Sequence, residues 1–188
     1  MRVILASSSP RRQRLMQEFN LPFEIMSKEI DETFVGDNVY EASMEVSKRK
    51  AEVIFKETTG DVIVIGSDTI VVQDNKIYGK PKDYNEAVSM LETFSDNHHE
   101  VVSSLCLLVR KDGNEYIEKT YDKATVYFDK LSREEIDDWI NNHEVYSKAG
   151  AYAIQEGFSK YIKKIDGDYF SIVGLPVHKL YILLKKYL

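Results

Sequence analysis

Apolar positions along this chain follow two rhythms, one of strands and one of helices. The longest apolar run, residues 62–73, reads Val-Ile-Val-Ile-Gly-Ser-Asp-Thr-Ile-Val-Val-Gln. Its β-branched content predicts a buried strand. Asp74-Asn75 form a turn, and residues 76–79 return as the partner strand. Short strands are predicted at 3–6 and 22–26. Two long strands flank the turn Asp112-Gly113-Asn114 between residues 100 and 128. A further strand is expected at 151–155, and a hairpin turning at Asp166-Gly167-Asp168. Apolar spacing of three and four marks the helices. One at 39–57 has the stripe Val39, Ala42, Val46, Lys50 and Val53. The last, opened by Pro176, has Leu180, Tyr181, Leu184 and Leu188 on one face. Asp-Tyr-Asn-Glu opens a helix over 83–94, and Ser132-Arg133-Glu134-Glu135 is a capping box for a helix to 141. Pro10 suits the first position of a helix over 10–19, with Ser9 as its N-cap. The order is mixed and not a regular βαβ alternation, which predicts a mixed α/β domain round a twisted sheet.

Charge breaks the apolar pattern in three places. Asp68 sits at the centre of the buried run, although aspartate is depleted in strands and is rarely buried without a partner. The hairpin brings Lys80 back beside it. A two-residue turn sets Thr69 opposite Lys80, and a one-residue slip sets Asp68 there. The pair reads either as a salt bridge, which supports stability only weakly, or as part of a site. Lys50 interrupts a core-facing stripe. Its amine either snorkels to the helix edge or reaches into a cleft that holds an anion. Arg11 and Arg12 fall in the first turn of the first helix, where a cation is unfavourable by about 0.3–1 kcal/mol. Beside Ser7, Ser8, Ser9 and free backbone N–H groups they fit an anion, with phosphate the candidate. The plain alternative is a solvated basic run that Arg14 continues.

The chain has 188 residues, of which 43% are hydrophobic. That suffices for one well-packed domain over 1–188. A net charge of −6 argues against broad nucleic-acid binding and leaves room for a local basic pocket. No apolar run is long enough to cross a bilayer, and the amino terminus turns polar too soon for a secretion signal. No membrane association and a cytoplasmic location are therefore expected. Cys106 lies in the apolar run 105–109 and reads as a buried strand residue without a disulfide partner, in keeping with a reducing compartment. His98, His99, His143 and His178 lack zinc-site spacing. Any metal would be a hard cation held by carboxylates and phosphate oxygens.

An ordered set of short motifs completes the picture. Ser7-Ser8-Ser9-Pro10-Arg11-Arg12, Asp31-Glu32, Lys50-Ala51, Gly66-Ser67-Asp68-Thr69 and Gly79-Lys80-Pro81 come first. Lys148-Ala149-Gly150-Ala151-Tyr152, Ile154-Gln155, Lys164-Ile165-Asp166-Gly167-Asp168 and Gly174-Leu175-Pro176 follow. Together they resemble the Maf family of nucleoside triphosphate pyrophosphatases, also called septum-formation inhibitor proteins, over essentially the whole chain. The resemblance departs at Glu156-Gly157, where the family often has Gly directly after Ile-Gln. It departs also at Ser95-Asp96 and at Val145-Tyr146-Ser147. These changes bear on loop geometry near Gln155.

The resemblance implies the elongated α/β fold of inosine triphosphate pyrophosphatases, with an active site in a cleft between two lobes. It implies a cytoplasmic enzyme dependent on Mg²⁺ or Mn²⁺ that cleaves a nucleoside triphosphate to monophosphate and pyrophosphate, commonly as a homodimer. The Pro-Arg-Arg, Asp-Thr and Ile-Gln forms of the motifs look like the dTTP/UTP branch. On that basis Arg12, Thr69 and Gln155 are expected to set specificity, and Asp68 to act as catalytic base, as metal ligand, or as both. Glu32 is expected to join Asp68 on the metal. Ser8, Arg11, Arg12, Lys50 and Lys80 would surround the triphosphate. Two rival readings stand beside this one. The first is a non-catalytic, nucleotide-responsive regulator acting through cell-division proteins, and the second is hydrolysis of purine triphosphates such as ITP.

Overall fold

The long apolar run forms strand β3 (Val62–Gln73), buried along nearly its whole length. Around it the computed structural model, which describes residues 1–36 and 38–188, places the other elements. They are β1 (Arg2–Leu5), α1 (Pro10–Gln17), β2 (Glu24–Ile25), α2 (Val39–Phe55), β4 (Lys76–Tyr78) and α3 (Tyr84–Phe94). Then come β5 (His98–Lys111), β6 (Asn114–Phe128), α4 (Arg133–Asn142), β7 (Ile162–Gly167), α5 (Tyr169–Val173) and α6 (Val177–Leu184). The strands form one mixed sheet in the order β2-β1-β3-β5-β6-β7, with β4 paired to β3. β1 runs parallel to both β2 and β3, whereas β4 and β7 pair antiparallel. The expected class, a mixed sheet with flanking helices, is the one observed. Among the described residues no helix is long and apolar enough to cross a membrane.

The chain divides into two compact units, and β3, β5 and β6 contribute residues to both. The first comprises Met1–Thr69, Ser103–Asp122 and Gly174–Leu188. Ile4, Val62, Val64, Cys106 and Leu108 of the sheet, with Ala6 just after β1, pack there against Ala51, Ile54 and Phe55 of α2. Burial pushes the Cys106 thiol up to about 12, so it stays protonated and inert. The second unit comprises Ile70–Val102 and Lys123–Val173, with an aromatic core that includes Phe94, Phe128, Trp139, Tyr152 and Phe158. His99 is enclosed in that core, 1% exposed, with its Nε2 2.7 Å from the Tyr152 hydroxyl.

Burial, aided by the neighbouring charge of His98, lowers His99 from 6.5 to about 3. It is therefore neutral when folded, while the unfolded chain binds a proton below 6.5. The stability this supplies is complete above 6.5 and is lost progressively as the pH falls toward 3. Urea unfolding near pH 5 should show a deficit of about 2 kcal/mol relative to neutral pH, and His99→Phe should remove that part of the slope.

Several elements differ from the pattern reading. Residues 151–155 are not a strand. Two 3₁₀ turns, Ala149–Ala151 and Ile154–Glu156, stand on either side of the extended pair Tyr152 and Ala153, because Gly150 (φ +72°) and Ala151 (φ +63°) turn left-handed and break the extended path. Asp166-Gly167-Asp168 does not close a hairpin. Gly167 ends β7, and Asp168 accepts from the Ser171 backbone N–H (2.9 Å) and hydroxyl (2.7 Å), fixing the start of α5. In α6 the buried face is Leu180, Leu183 and Leu184, while Tyr181 and Leu188 are exposed. Ser9 occupies the N-cap of α1 without a side-chain cap, and its N–H donates instead to Ser7 Oγ at 3.2 Å.

Candidate active site

The two-residue periodicity of a strand sets Val62, Val64, Gly66 and Asp68 on the face of β3 that meets α2. Ser43, Ser47 and Ala51 form a stripe of small residues on α2, and all three are fully buried. The helix comes so close that a Cβ on Gly66 would lie 2.0 Å from the Ser47 carbonyl oxygen. Lys50, seven residues beyond Ser43, projects from nearly the same side of the helix. Both reach Asp68.

Asp68 is 5% exposed. Its Oδ1 accepts from Lys50 Nζ at 2.7 Å, and its Oδ2 from Ser43 Oγ at 3.4 Å. Ser43 is anchored in turn by Ser104 of β5, whose hydroxyl lies 2.9 Å from Ser43 Oγ and donates to the Ser43 carbonyl at 2.9 Å. Lys50 Nζ also lies 3.0 Å from Glu32 Oε1. One ammonium thus gathers two carboxylates, one buried and one half-exposed. Of the two readings of Lys50, the amine turns inward, and it meets carboxylates. The lysine that pairs with Asp68 is Lys50, whereas the hairpin reading pointed to Lys80. Strand β4 ends at Tyr78, so the ladder stops at Val71↔Tyr78, short of Lys80.

The opposite face of β3 carries Ser67 and Thr69. Arg12 of α1 crosses to them. Its Nη2 donates to Thr69 Oγ1 at 2.9 Å, its Nε to the Gly174 carbonyl at 2.8 Å and its Nη1 to Ser7 Oγ at 3.4 Å. Ser67 Oγ donates to the same Gly174 carbonyl at 3.3 Å, and Thr69 Oγ1 lies 2.8 Å from Ser103 Oγ. Gly174 takes φ +127°, a conformation that favours glycine. Burial lowers the Arg12 pKa below its ordinary value; the charges of Asp68 and Glu32 oppose that shift and Arg11 adds to it. Arg11 is half-buried and Ser8 exposed on the same segment.

The first unit therefore brings together Ser7, Arg12, Glu32, Lys50, Asp68 and Thr69. Lys80 and Gln155 lie in the second unit, and both are exposed. Gln155 sits in the 3₁₀ turn that ends at Gly157 (φ +97°). Next to it, Glu156 Oε2 lies 3.0 Å from Nζ of Lys148, a lysine only 4% exposed that also pairs with Glu144 at 3.1 Å. Pattern reading overlooked Ser43, Ser103 and Ser104, and gave Lys148 no role beyond its place in a motif. The serines carry a signal, namely hydroxyls set inside apolar stripes. Lys148 opens a motif, but its burial arises from the turns around it.

Among the described residues no three His, Cys, Asp or Glu side chains cluster as a self-sufficient metal site. Glu32 and Asp68, converging on one cationic group, have the donor chemistry of Mg²⁺ or Mn²⁺ sites completed by phosphate oxygens and water.

The family profile described as "Maf-like protein" matches residues 2–187. A dTTP/UTP pyrophosphatase of Alkaliphilus oremlandii is 41% identical, over 98% of this chain and 95% of that protein. A dTTP/UTP pyrophosphatase of Clostridioides difficile is 40% identical, over 100% of this chain and 95% of its own length. Among solved structures, a HAM1 protein from Coxiella burnetii aligns over 99% of both chains with a TM-score of 0.54 at 15% identity, a likeness of fold.

Proposed function

The chain belongs to the Maf family, and from that premise we propose that it hydrolyses nucleoside triphosphates, dTTP and UTP foremost, to the monophosphate and pyrophosphate. The observation that carries this reading is the buried Asp68 carboxylate with Lys50 at 2.7 Å and a second carboxylate, Glu32, on the same ammonium. A protein that merely bound a polyanion would gain nothing from a buried negative charge beside it. An enzyme that must take a proton from water has use for one.

In this proposal Arg11 and Arg12, with Ser8 and the α1 amides, hold the triphosphate. Asp68 orients the attacking water toward the α-phosphorus and receives its proton at a carboxylate oxygen. Lys50 holds that carboxylate in place and balances its charge. Ser43, pinned by Ser104, restrains the other oxygen. Glu32 and Asp68 would hold a divalent cation, which would supply charge neutralisation for the phosphates. Thr69 positions Arg12, and Gln155 offers one donor and one acceptor to a pyrimidine edge.

The direct test is pyrophosphate release from dTTP, UTP, CTP and ITP in the presence of Mg²⁺ or Mn²⁺. The reading predicts fastest release from dTTP and UTP. Binding without turnover would replace it with a nucleotide-responsive regulator, and a preference for ITP would replace the substrate. Gln155→Ala should reduce the preference for UTP over CTP by about 10-fold, the worth of one or two hydrogen bonds, with a smaller effect on the best kcat. An unchanged preference would place base recognition elsewhere.

A further inference from the structure

Glu32 lies in a segment with neither helix nor strand, and its side chain is half-exposed. A carboxylate so placed has no intrinsic reason to stay directed at Lys50. The residue before Lys50 supplies one. From α2, the Arg49 guanidinium donates through Nη1 to the Asp31 carbonyl and through Nη2 to the Thr33 carbonyl, the latter at 2.7 Å. These carbonyls flank Glu32 on either side. The loop is tightened from within as well, since Asp31 Oδ1 accepts from the Thr33 N–H at 2.8 Å. Arg49 Nε is buried without a hydrogen-bond partner among the described residues. The fork is thus committed to the loop at the expense of a donor left unmet. Consecutive residues of one helix thereby do two things: Arg49 grips the backbone around Glu32, and Lys50 meets its carboxylate.

We propose that Arg49 is a positioning residue that holds the 31–33 loop so that the Glu32 carboxylate stays directed at Lys50 and Asp68, where it can ligate a divalent cation. This rests on the reading of Glu32 as a metal ligand. The planar fork matters, because one guanidinium spans two carbonyls and a lysine ammonium does not match that geometry.

The test uses the full-length protein and two readouts. The first is hydrogen exchange of the segment 30–34. The second is Mn²⁺ affinity, measured by electron paramagnetic resonance with the non-hydrolysable α,β-imido analogue of dUTP. Arg49→Met should accelerate exchange in 30–34 and weaken Mn²⁺ by about 10-fold, the usual effect of losing a group that orients a metal ligand. Arg49→Lys, which keeps the charge, should behave like Arg49→Met. Unchanged exchange in Arg49→Met would overturn the clamp. Faster exchange with unchanged Mn²⁺ affinity, or full rescue by Arg49→Lys, would overturn its positioning role. Glu32→Gln runs alongside: if it leaves Mn²⁺ affinity intact, the metal-ligand reading fails, while the exchange data still report on the clamp.

Discussion

Gly66→Ala should destabilise the protein by about 3 kcal/mol or more, because overpacking against a backbone atom has no flexible neighbour to absorb it. The added Cβ would lie 2.0 Å from the Ser47 carbonyl oxygen, 3.0 Å from the Ala51 nitrogen and 3.1 Å from the Ala51 Cβ. Relief requires α2 to lift from β3. That movement would loosen the contact between Ala51, Ile54 and the sheet. It would also carry Ser43, Arg49 and Lys50 away from Asp68 and the Glu32 loop. For a chain of this size the melting temperature should fall by roughly 6–12 °C. Thermal unfolding followed by circular dichroism measures the stability part. The residual kcat of the folded fraction measures the displacement of Lys50. A variant that melts with the parent would mean that the helix does not approach the strand this closely.

How far the sequence leads depends on the scale of the interaction. β3 was legible residue for residue, because a β-branched run bounded by a two-residue turn has few alternatives. The capping box at Ser132 and Glu135 forms as read. Asp68 was visible as a charge that its strand could not explain. Its partner was not. The hairpin offered Lys80 by register, but the pairing to Lys50 depends on how near α2 lies to the sheet, and Gly66 and the Ser43–Ser47–Ala51 stripe decide that in three dimensions. The 151–155 segment was misread for a similar reason. Ala-Tyr-Ala-Ile alternates in polarity too little to distinguish a strand from buried turns, and the deciding fact is Ala151 at φ +63°. Arg49 left no trace in the pattern, since its partners are backbone carbonyls, which have no letter in a sequence.

Asp68→Asn should lower kcat for dTTP by about 10³-fold, or roughly 4 kcal/mol of transition-state stabilisation. The substitution preserves shape, and the amide oxygen can still accept from Lys50, so folding and nucleotide affinity should change little. What is lost is a group able to take a proton, and with it a charge that Lys50, Arg12 and a metal ion would all respond to. The effect should therefore appear in kcat far more than in KM. The decisive measurement is single-turnover release of pyrophosphate from dTTP by the parent and by Asp68→Asn, at enzyme concentrations that saturate the nucleotide. The expected result is a parent that converts all bound dTTP to dTMP and pyrophosphate, beside a variant that binds it and scarcely turns it over. Release by the variant within about 10-fold of the parent would mean that this carboxylate is not the base, since general-base loss exceeds that range.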